Sequence, residues 1–503
     1  MPAYLLAHDL GTSGNKATLF DSEGKLVKST VYSYELITKP GNAAEQRADD
    51  WWRAVCETTR TLVADIDPHD IAAVSFSGQM MGCLCVDREG EPLYNSLIWA
   101  DMRSTEQAEY IRRNIDETKY YGITGHRISA SDSITKLMWI RDNLPEIYAK
   151  TYKMLNAKDY IIYKLTGRFV TEYSDASSTC LLDLNTLTWS DEIIKVSGLD
   201  GSKLPELLRS VDVAGKVNAE AAALTGLCEG TPVVCGGGDG CCAAVGTGVV
   251  KEGIANCCLG TSSWISLAAK KLVCDEKMTV FNFAHIVPGY CLPTGTMQTG
   301  GGSLSWAVSA LFKSIDGQPA FDKKDIYATV EKEASASPAG AGGLLFLPYL
   351  MGERSPRWND KARGAFIGLT MGHGRGDMLR AVMEGVGMNL DIILKTFESA
   401  GNDIRELTLV GGGARNKIWQ RILCDIFGIQ VNVPNYLEEA TSMGAAITAG
   451  VGVGLFENFD AVNKFIKITE SSTPDPETVK TYKELKKLFD KAYYYNEPLF
   501  AEI

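Results

Sequence analysis

The sequence predicts an α/β protein of two large, related domains. Two observations carry that expectation. The first is size: 503 residues exceed what one hydrophobic core ordinarily organises. The second is internal repetition. Leu10, Gly11, Thr12 and Ser13 recur as Leu259, Gly260, Thr261 and Ser262, each time after an apolar run. The apolar run Val233 to Cys235 leads into Gly236, Gly237, Gly238 and Asp239, and Leu407 to Val410 leads into Gly411, Gly412, Gly413 and Ala414. Small-residue stretches that read as helices lie at Gly240 to Gly248 and at Gly444 to Gly450. Several echoes in one order predict a duplicated domain with its boundary near 246–254, giving domains of 1–248 and 249–503.

Element by element, the chain opens on Tyr4 to Asp9, a short apolar run that reads as a buried strand. Leu10 to Gly14 is a tight turn, Lys16 to Phe20 a second strand and Asp21 to Gly24 a second turn. Trp51 to Ala64 is helical by period. Ile71 to Phe76 is a strand that ends in Gly78, Gln79, Met80 and Met81.

Composition excludes several classes. Hydrophobic residues make up 45% and charged residues 22%, as in an ordinary soluble globular protein. A formal charge of −12 without any Lys/Arg-rich run argues against a nucleic-acid partner. The start of the chain does not read as a signal peptide, and no later stretch approaches the roughly 20 apolar residues of a membrane span. Thirteen cysteines in apolar settings suit small buried hydrophobes in a reducing cytoplasm. The five histidines, at 8, 69, 126, 285 and 373, form no metal-ligand pattern.

The glycine-rich turns carry the chemistry. In Asp9 to Gly14, glycines let the backbone approach a phosphate, and successive N–H groups with the Thr12 and Ser13 hydroxyls can face its oxygens. Asp9, at a strand end before that loop, is placed either to hold hydrated Mg²⁺ or to cap the turn. Lys16 either reaches a phosphate or is solvated, and the spacing is not that of a Walker loop. Leu259 to Ser262 would be the partner loop across a cleft. Gly411 to Asn416 is expected to open a helix whose first amides suit a nucleotide. Asp239, in a glycine-rich turn after a strand, is a candidate proton acceptor for an attacking hydroxyl, or a cap for the helix that follows.

Taken in order, these residues resemble the FGGY family of carbohydrate kinases, most closely its D-xylulose kinase branch. The resemblance spans Asp9 to Gly14, Gly78 to Met80, Trp99 to Arg103, Ser131 to Trp139, Tyr173 to Ser177 and Gly236 to Asp239. It continues through Leu259 to Ser262, Phe346 to Tyr349, Gly352 to Arg354, Gly364 to Leu369 and Gly411 to Arg415. It implies two actin-like (ribonuclease H-like) domains, each a mixed five-stranded sheet with flanking helices, with ATP and sugar in the cleft between them. It implies ATP and Mg²⁺ as cofactors and a small sugar or polyol as substrate, and leaves a homodimer open.

On that resemblance Asp239 falls on the catalytic base and Asp9 on the metal-side carboxylate. Gly11, Thr12, Ser13, Lys16, Gly260, Thr261, Ser262, Gly301, Gly411, Gly412 and Asn416 fall on the nucleotide side. Gln79, Met80, Met81, Trp99, Ser131, Asp239 and Gly240 fall on the sugar side. The pattern departs at Met81, where the branch has histidine, and at Gly240, where it has asparagine. It departs again at His8 and in the polar stretch Ser129 to Asp132. Those departures put the identity of the sugar, though not the reaction, in question. An actin-like ATPase that senses nucleotide, or a sugar-binding relative without catalysis, are the rival readings.

Overall fold

The computed structural model describes residues 3–312 and 323–503. Its first sheet is built on β1 (Tyr4–Leu10), β2 (Gly14–Asp21), β3 (Leu26–Ser33), β4 (Ile71–Gly78), β5 (Val213–Lys216), β6 (Pro232–Val234) and β7 (Gly237–Gly238). The spatial order is β5-β6-β4-β1-β2-β3, with β7 continuing beside the end of β4. β1, β2 and β3 form an antiparallel meander, while β4 and β6 run parallel to β1. The central position of β1 explains its unbroken apolar run, since both of its faces are covered. β3, at the edge, alternates between half-buried and exposed side chains.

One face of this sheet is covered by α1 (Ala48–Val63) and α3 (Ala157–Thr166), with α2 (Ser133–Asn143) and α4 (Tyr173–Ser178) framing the site described below. α1 presents Trp51, Val55 and Leu62 to Leu6, Leu10 and Phe76. It carries Asp49 and Asp50 in its first turn and Arg60 in its last, charges that suit the helix dipole. His8, one residue before Asp9, points to this apolar side. It stacks on Phe76 at 5.4 Å and is bonded to Asn15 and Thr59. Burial pulls its pKa down to about 3, so it is a neutral core residue.

The second sheet uses β8 (Ile254–Leu259), β9 (Ser263–Leu267), β10 (Phe281–Ala284), β11 (Cys291–Met297), β12 (Glu406–Val410), β13 (Gln430–Pro434) and β14 (Ile468–Ser472). Its order is β10-β11-β9-β8-β12-β13-β14. Both sheets share one five-stranded plan: a three-strand meander, then two strands parallel to its first. This is the mixed sheet expected of an actin-like domain. Additional strands complete each sheet: β5 and β7 in the first, the edge strands β10 and β14 in the second. α5 (Asp239–Gly246) closes the first half, and the second half carries α6 (Gly301–Leu311), α7 (Lys323–Ala336), α8 (Arg375–Ser399), α9 (Lys417–Phe427), α10 (Ala440–Gly452) and α11 (Pro476–Phe500).

The plan corrects one expected echo. Val233 to Cys235 lies on the fifth strand of the first plan, whereas Leu407 to Val410 lies on the fourth of the second. Both runs end in glycines because both must bend sharply at the cleft, not because they are equivalent. The counterpart of the Gly411 turn is the turn after β4, at Gln79. The counterpart of the Asp239 turn is the one after β13, which leads into α10. α5 and α10 therefore correspond, and they pack on each other between the two sheets. A Cβ on Gly246 would lie 1.9 Å from the Ala440 carbonyl oxygen, and one on Gly444 would lie 1.9 Å from that of Cys242. Only glycine allows so close a backbone approach. Around the crossing, Leu5, Ala7 and Val234 of the first sheet share a core with Cys241, Val245, Met443 and Ile447.

Candidate active site

The C-terminal ends of β1, β4 and β6 bring the first group of residues together. Asp9 closes β1 on the face toward α10. Its Oδ1 accepts from Ser77 Oγ at 2.9 Å, and its Oδ2 accepts from Thr441 Oγ1 at 2.7 Å. Burial pushes its pKa up, against the pull of those two hydroxyls and of Lys16. The loop that follows is pinned by the Gly11 N–H on the Gly14 carbonyl at 3.0 Å and by Tyr34 on the Gly11 carbonyl. Ser13 sits exposed at its tip. Lys16 is not free: its ammonium pairs with Glu439 at 3.1 Å and bonds the Glu438 carbonyl at 3.2 Å.

Thr12, Gln79 and Trp99 are brought into one network through Gln46. The Trp99 indole N–H donates to Thr12 Oγ1 at 2.9 Å, and Gln46 Nε2 donates to the Thr12 carbonyl at 2.6 Å. Gln46 Oε1 in turn accepts from Gln79 Nε2 at 2.7 Å and from the Trp51 indole at 3.1 Å. Trp99 keeps 44% of its surface exposed, so a large aromatic face stays open to the cleft.

Asp239 is reached by a sharp bend. Gly236 has φ of +73°, and a Cβ there would lie 1.9 Å from the Phe76 carbonyl oxygen. The bend carries Gly237 and Gly238 alongside Ser77 and Gly78 of β4. Asp239 then becomes the first residue of α5, on the same edge as Asp9. Its Oδ1 accepts from the Gly240 N–H at 2.7 Å. Burial, with the nearby charge of Asp9 as the second cause, pushes its pKa up to about 7. A helix N-terminus ordinarily favours a charged carboxylate; here desolvation and the second carboxylate outweigh it. Met80 packs on the backbone of this turn, where a Cβ on Gly238 would meet its Sδ at 2.5 Å. A Cβ on Gly240 would meet nothing within 4 Å.

Met81 has φ of +61°, a left-handed conformation unusual for its residue type. Its N–H donates to Ser178 Oγ at 3.0 Å, and its carbonyl accepts from Lys136 Nζ at 2.7 Å. Lys136, fully buried on α2, also donates to the Ser131 carbonyl, so one ammonium ties the polar stretch to the Met81 turn. Ser131 Oγ bonds Ser129 Oγ at 2.9 Å.

A second group lines a cavity of about 790 Å³ on the other sheet. Gly260, Thr261, Gly301, Gly412 and Asn416 all face it, as does Tyr327 of α7. The Gly260–Thr261 turn is stacked against the start of α6: the Gly301 N–H donates to the Gly260 carbonyl at 2.7 Å, and the Gly300 and Gly302 N–H groups donate to the Thr261 carbonyl. Ser262 and Gly411 flank the cavity without lining it. The Gly411 turn differs from expectation in one respect. It leads into a single 3₁₀ turn (Gly412–Arg415), and α9 begins only at Lys417, with Asn416 Oδ1 capping the Trp419 N–H at 3.0 Å. The two groups meet through residues 438–441. Arg415, at the cavity, pairs with Glu438 at 2.7 Å, and Glu438 with Glu439 holds Lys16.

Among the described residues no three His, Cys, Asp or Glu side chains converge as a metal cage. Asp9 and Asp239 form an acidic pair whose mutual charge raises the pKa of Asp239. Such a donor set fits Mg²⁺, which proteins hold with one or two carboxylates plus phosphate oxygens. Residues 438–441, Gln46 and Tyr327 escape sequence reasoning. Only Glu438 and Glu439, acidic residues just before a small-residue helix, left a readable signal.

The comparisons agree with this architecture. Residues 4–246 match the family model for the N-terminal domain of the FGGY family of carbohydrate kinases, and residues 255–453 match that for its C-terminal domain. The chain is 33% identical over 504 residues to a protein named xylulose kinase from Bacillus subtilis, covering 99% of this chain and 98% of that one. It is also 33% identical over 493 residues to a gluconokinase from Bacillus licheniformis, covering 97% and 95%. The crystal structure of ligand-bound xylulose kinase from Lactobacillus acidophilus superposes with a TM-score of 0.91 at 27% identity, over 99% of both chains.

Proposed function

Because the chain belongs to the FGGY family of carbohydrate kinases, we propose that it transfers the γ-phosphoryl group of ATP to a primary hydroxyl of a ketose or polyol, with D-xylulose the first substrate to test. The observation that carries this reading is the placement of Asp239: the Gly236 bend sets it at the start of α5, on the sheet edge where Asp9 ends β1, and burial with the charge of Asp9 raises its pKa to about 7. Such a group accepts a proton from a substrate hydroxyl at neutral pH. In this reading Gln79, Met80, Met81, Trp99, Ser131 and Gly240 form the sugar seat. Gly260, Thr261, Gly301, Gly412 and Asn416 hold the nucleotide in the glycine-lined cavity, and the turn at Thr12 and Ser13 faces the phosphates with its N–H groups and hydroxyls. Asp9 is the carboxylate to hold Mg²⁺. When bound, that ion neutralises charge on the phosphates.

The cations tied to the sugar-side turns favour an uncharged substrate. Arg103 pairs with Glu45 and Asp101, and Lys136 is buried against the Met81 and Ser131 carbonyls. Neither is left to meet an aldonate carboxylate. The gluconokinase relatives keep aldonates as the second reading. The division into a sugar-side domain of 1–248 and a nucleotide-side domain of 249–503, a cytoplasmic location and a possible homodimer belong to the same proposal. Among the described residues no helix is long and apolar enough to cross a membrane. The test is a coupled ADP-release assay over pentuloses, hexuloses, pentitols and aldonates. Turnover with a ketose or polyol is expected; turnover with aldonates alone, or sugar-independent ATP hydrolysis alone, overturns the reading.

A further inference from the structure

The motif at Tyr173 to Ser177 has no part in the chemistry above, yet it folds into the six-residue helix α4 directly behind the site. Three serines on this helix are buried, and each accepts a backbone N–H from a different element. Ser174 Oγ accepts from the Gly238 N–H at 3.0 Å, immediately before Asp239. Ser178 Oγ accepts from the Met81 N–H at 3.0 Å. Ser177 Oγ accepts from the Ala284 N–H at 3.2 Å, on β10 of the second sheet. One turn and a half of helix thus touches the base turn, the sugar turn and the other half of the molecule.

The helix is itself anchored. Glu172 caps it, accepting from the Ser174 and Asp175 N–H groups at 2.8 Å each, from Ser174 Oγ at 2.7 Å and from Ser210 Oγ at 2.6 Å. Lys158, with no exposed surface, pairs with Asp159 at 2.6 Å and lies within 3.5 Å of Glu172 and 3.3 Å of Asp175. Ser178 donates to the Asp175 carbonyl at 2.7 Å. A charged cluster buried this deeply is costly unless its bonds are made, and here those bonds end on the two turns of the site.

We propose that Ser174, Ser177 and Ser178 are positioning residues: α4 sets the base turn, β10 and the sugar turn relative to one another through these three hydroxyls. This rests on the functional reading above. Ser177 ties the helix to β10, and the other two hydroxyls are assigned separable effects. Ser174 governs where Asp239 stands, and so the rate of transfer. Ser178 governs the Met81 turn, and so the sugar seat. The left-handed backbone of Met81 is strained for a non-glycine residue and persists because Ser178 and Lys136 hold both of its backbone polar groups.

The experiment compares Ser174→Ala and Ser178→Ala in the full chain, by steady-state kinetics and by hydrogen exchange of the segments 76–84 and 236–241. Ser174→Ala is expected to speed exchange in 236–241 alone and to lower kcat by roughly 10- to 100-fold with a little-changed sugar KM, as a small displacement of a reacting group does. Ser178→Ala is expected to speed exchange in 76–84 alone and to raise the sugar KM about tenfold with a little-changed kcat, the mark of a lost ground-state contact. Equal loosening of both segments, or the same kcat and KM pattern in both variants, overturns the proposal in favour of a merely structural helix. Unchanged exchange in both overturns it as well. Should an alanine variant fail to fold, Ser174→Cys or Ser178→Cys is read in its place, since a thiol is a weak acceptor of similar size. If the wild-type chain phosphorylates no sugar, the functional reading fails while the exchange pattern still decides the positioning claim.

Discussion

At the scale of single residues, Asp239 gives the sharpest expectations. Asp239→Asn keeps the shape and the acceptor for the Gly240 N–H but cannot take a proton, so phosphorylation should fall by about 10²–10⁴-fold while nucleotide binding persists. In the free enzyme kcat/KM should decline as pH falls through about 7, because only the ionised carboxylate is a base. Stability should run the other way. The native state holds this proton more tightly than the unfolded chain does. The resulting stabilisation is full below the ordinary aspartate range and is lost as pH rises through about 7. Asp239→Asn is therefore expected to melt above wild type at pH 8, with the gap closing toward pH 4, a comparison for calorimetry. Met81 is the other informative residue. Histidine occurs at positive φ more readily than most residue types, and a side chain at Gly240 has open space, so Met81→His with Gly240→Asn should fold normally. It should also improve D-xylulose use relative to the enzyme's own best substrate. A wild type that already favours D-xylulose, with a double variant that handles it worse, would show that these positions are misread.

At the scale of elements, local signals in the sequence reach as far as strand, turn and helix and stop there. β1, β2 and β4 announce themselves by apolar runs that end at glycines, and α1 by its period, with boundaries shifted by only a few residues. Gly260, Thr261, Gly301, Gly412 and Asn416, which the family resemblance grouped on one side, line one cavity; that a nucleotide fills it belongs to the proposal. The strand at which each glycine turn sits was not legible. Sheet order is set by pairings between residues far apart in sequence, so the Val233 and Leu407 runs look alike yet occupy different places. Nor could the sequence announce that Gly240 to Gly248 and Gly444 to Gly450 pack on one another. Their small residues are explained by that contact and yield a prediction. Gly444→Ala places a methyl group 1.9 Å from the Cys242 carbonyl oxygen, and the helices must separate. A loss of about 1–3 kcal/mol is expected from overpacking, read by denaturant unfolding. Gly240→Ala, at the open start of the partner helix α5, should cost far less. Equal effects at the two glycines would rule out the close crossing as the reason for these sequences.

At the scale of the whole molecule, the two halves of the site sit on different sheets. Asp9 and Asp239 close strands of the first, while the glycine-lined cavity opens on the second. Beneath them lies the α5–α10 crossing, whose backbone contacts leave little room to slide. At the mouth of the cleft the contacts are polar, Thr441 to Asp9 and Lys16 to Glu439 and the Glu438 carbonyl, while away from the mouth Ser177 bonds β10 and Tyr121 bonds the Val273 and Val280 carbonyls. The Lys16–Glu439 pair is partly exposed and so contributes little stability. A joint that is tight at its base and weakly tied at its mouth favours rotation of one sheet against the other over separation. The proposed phosphoryl transfer calls for such a motion, because closure would bring the γ-phosphate to the sugar hydroxyl and exclude the water that would otherwise compete for it. Small-angle scattering should therefore give a smaller radius of gyration with sugar and a non-hydrolysable nucleotide together than with either alone. Thr441→Val, which removes the one hydroxyl reaching Asp9 across the cleft, should leave the compaction in place and shift the ligand concentrations that produce it. An unchanged radius under saturating sugar and nucleotide would count against a closing cleft.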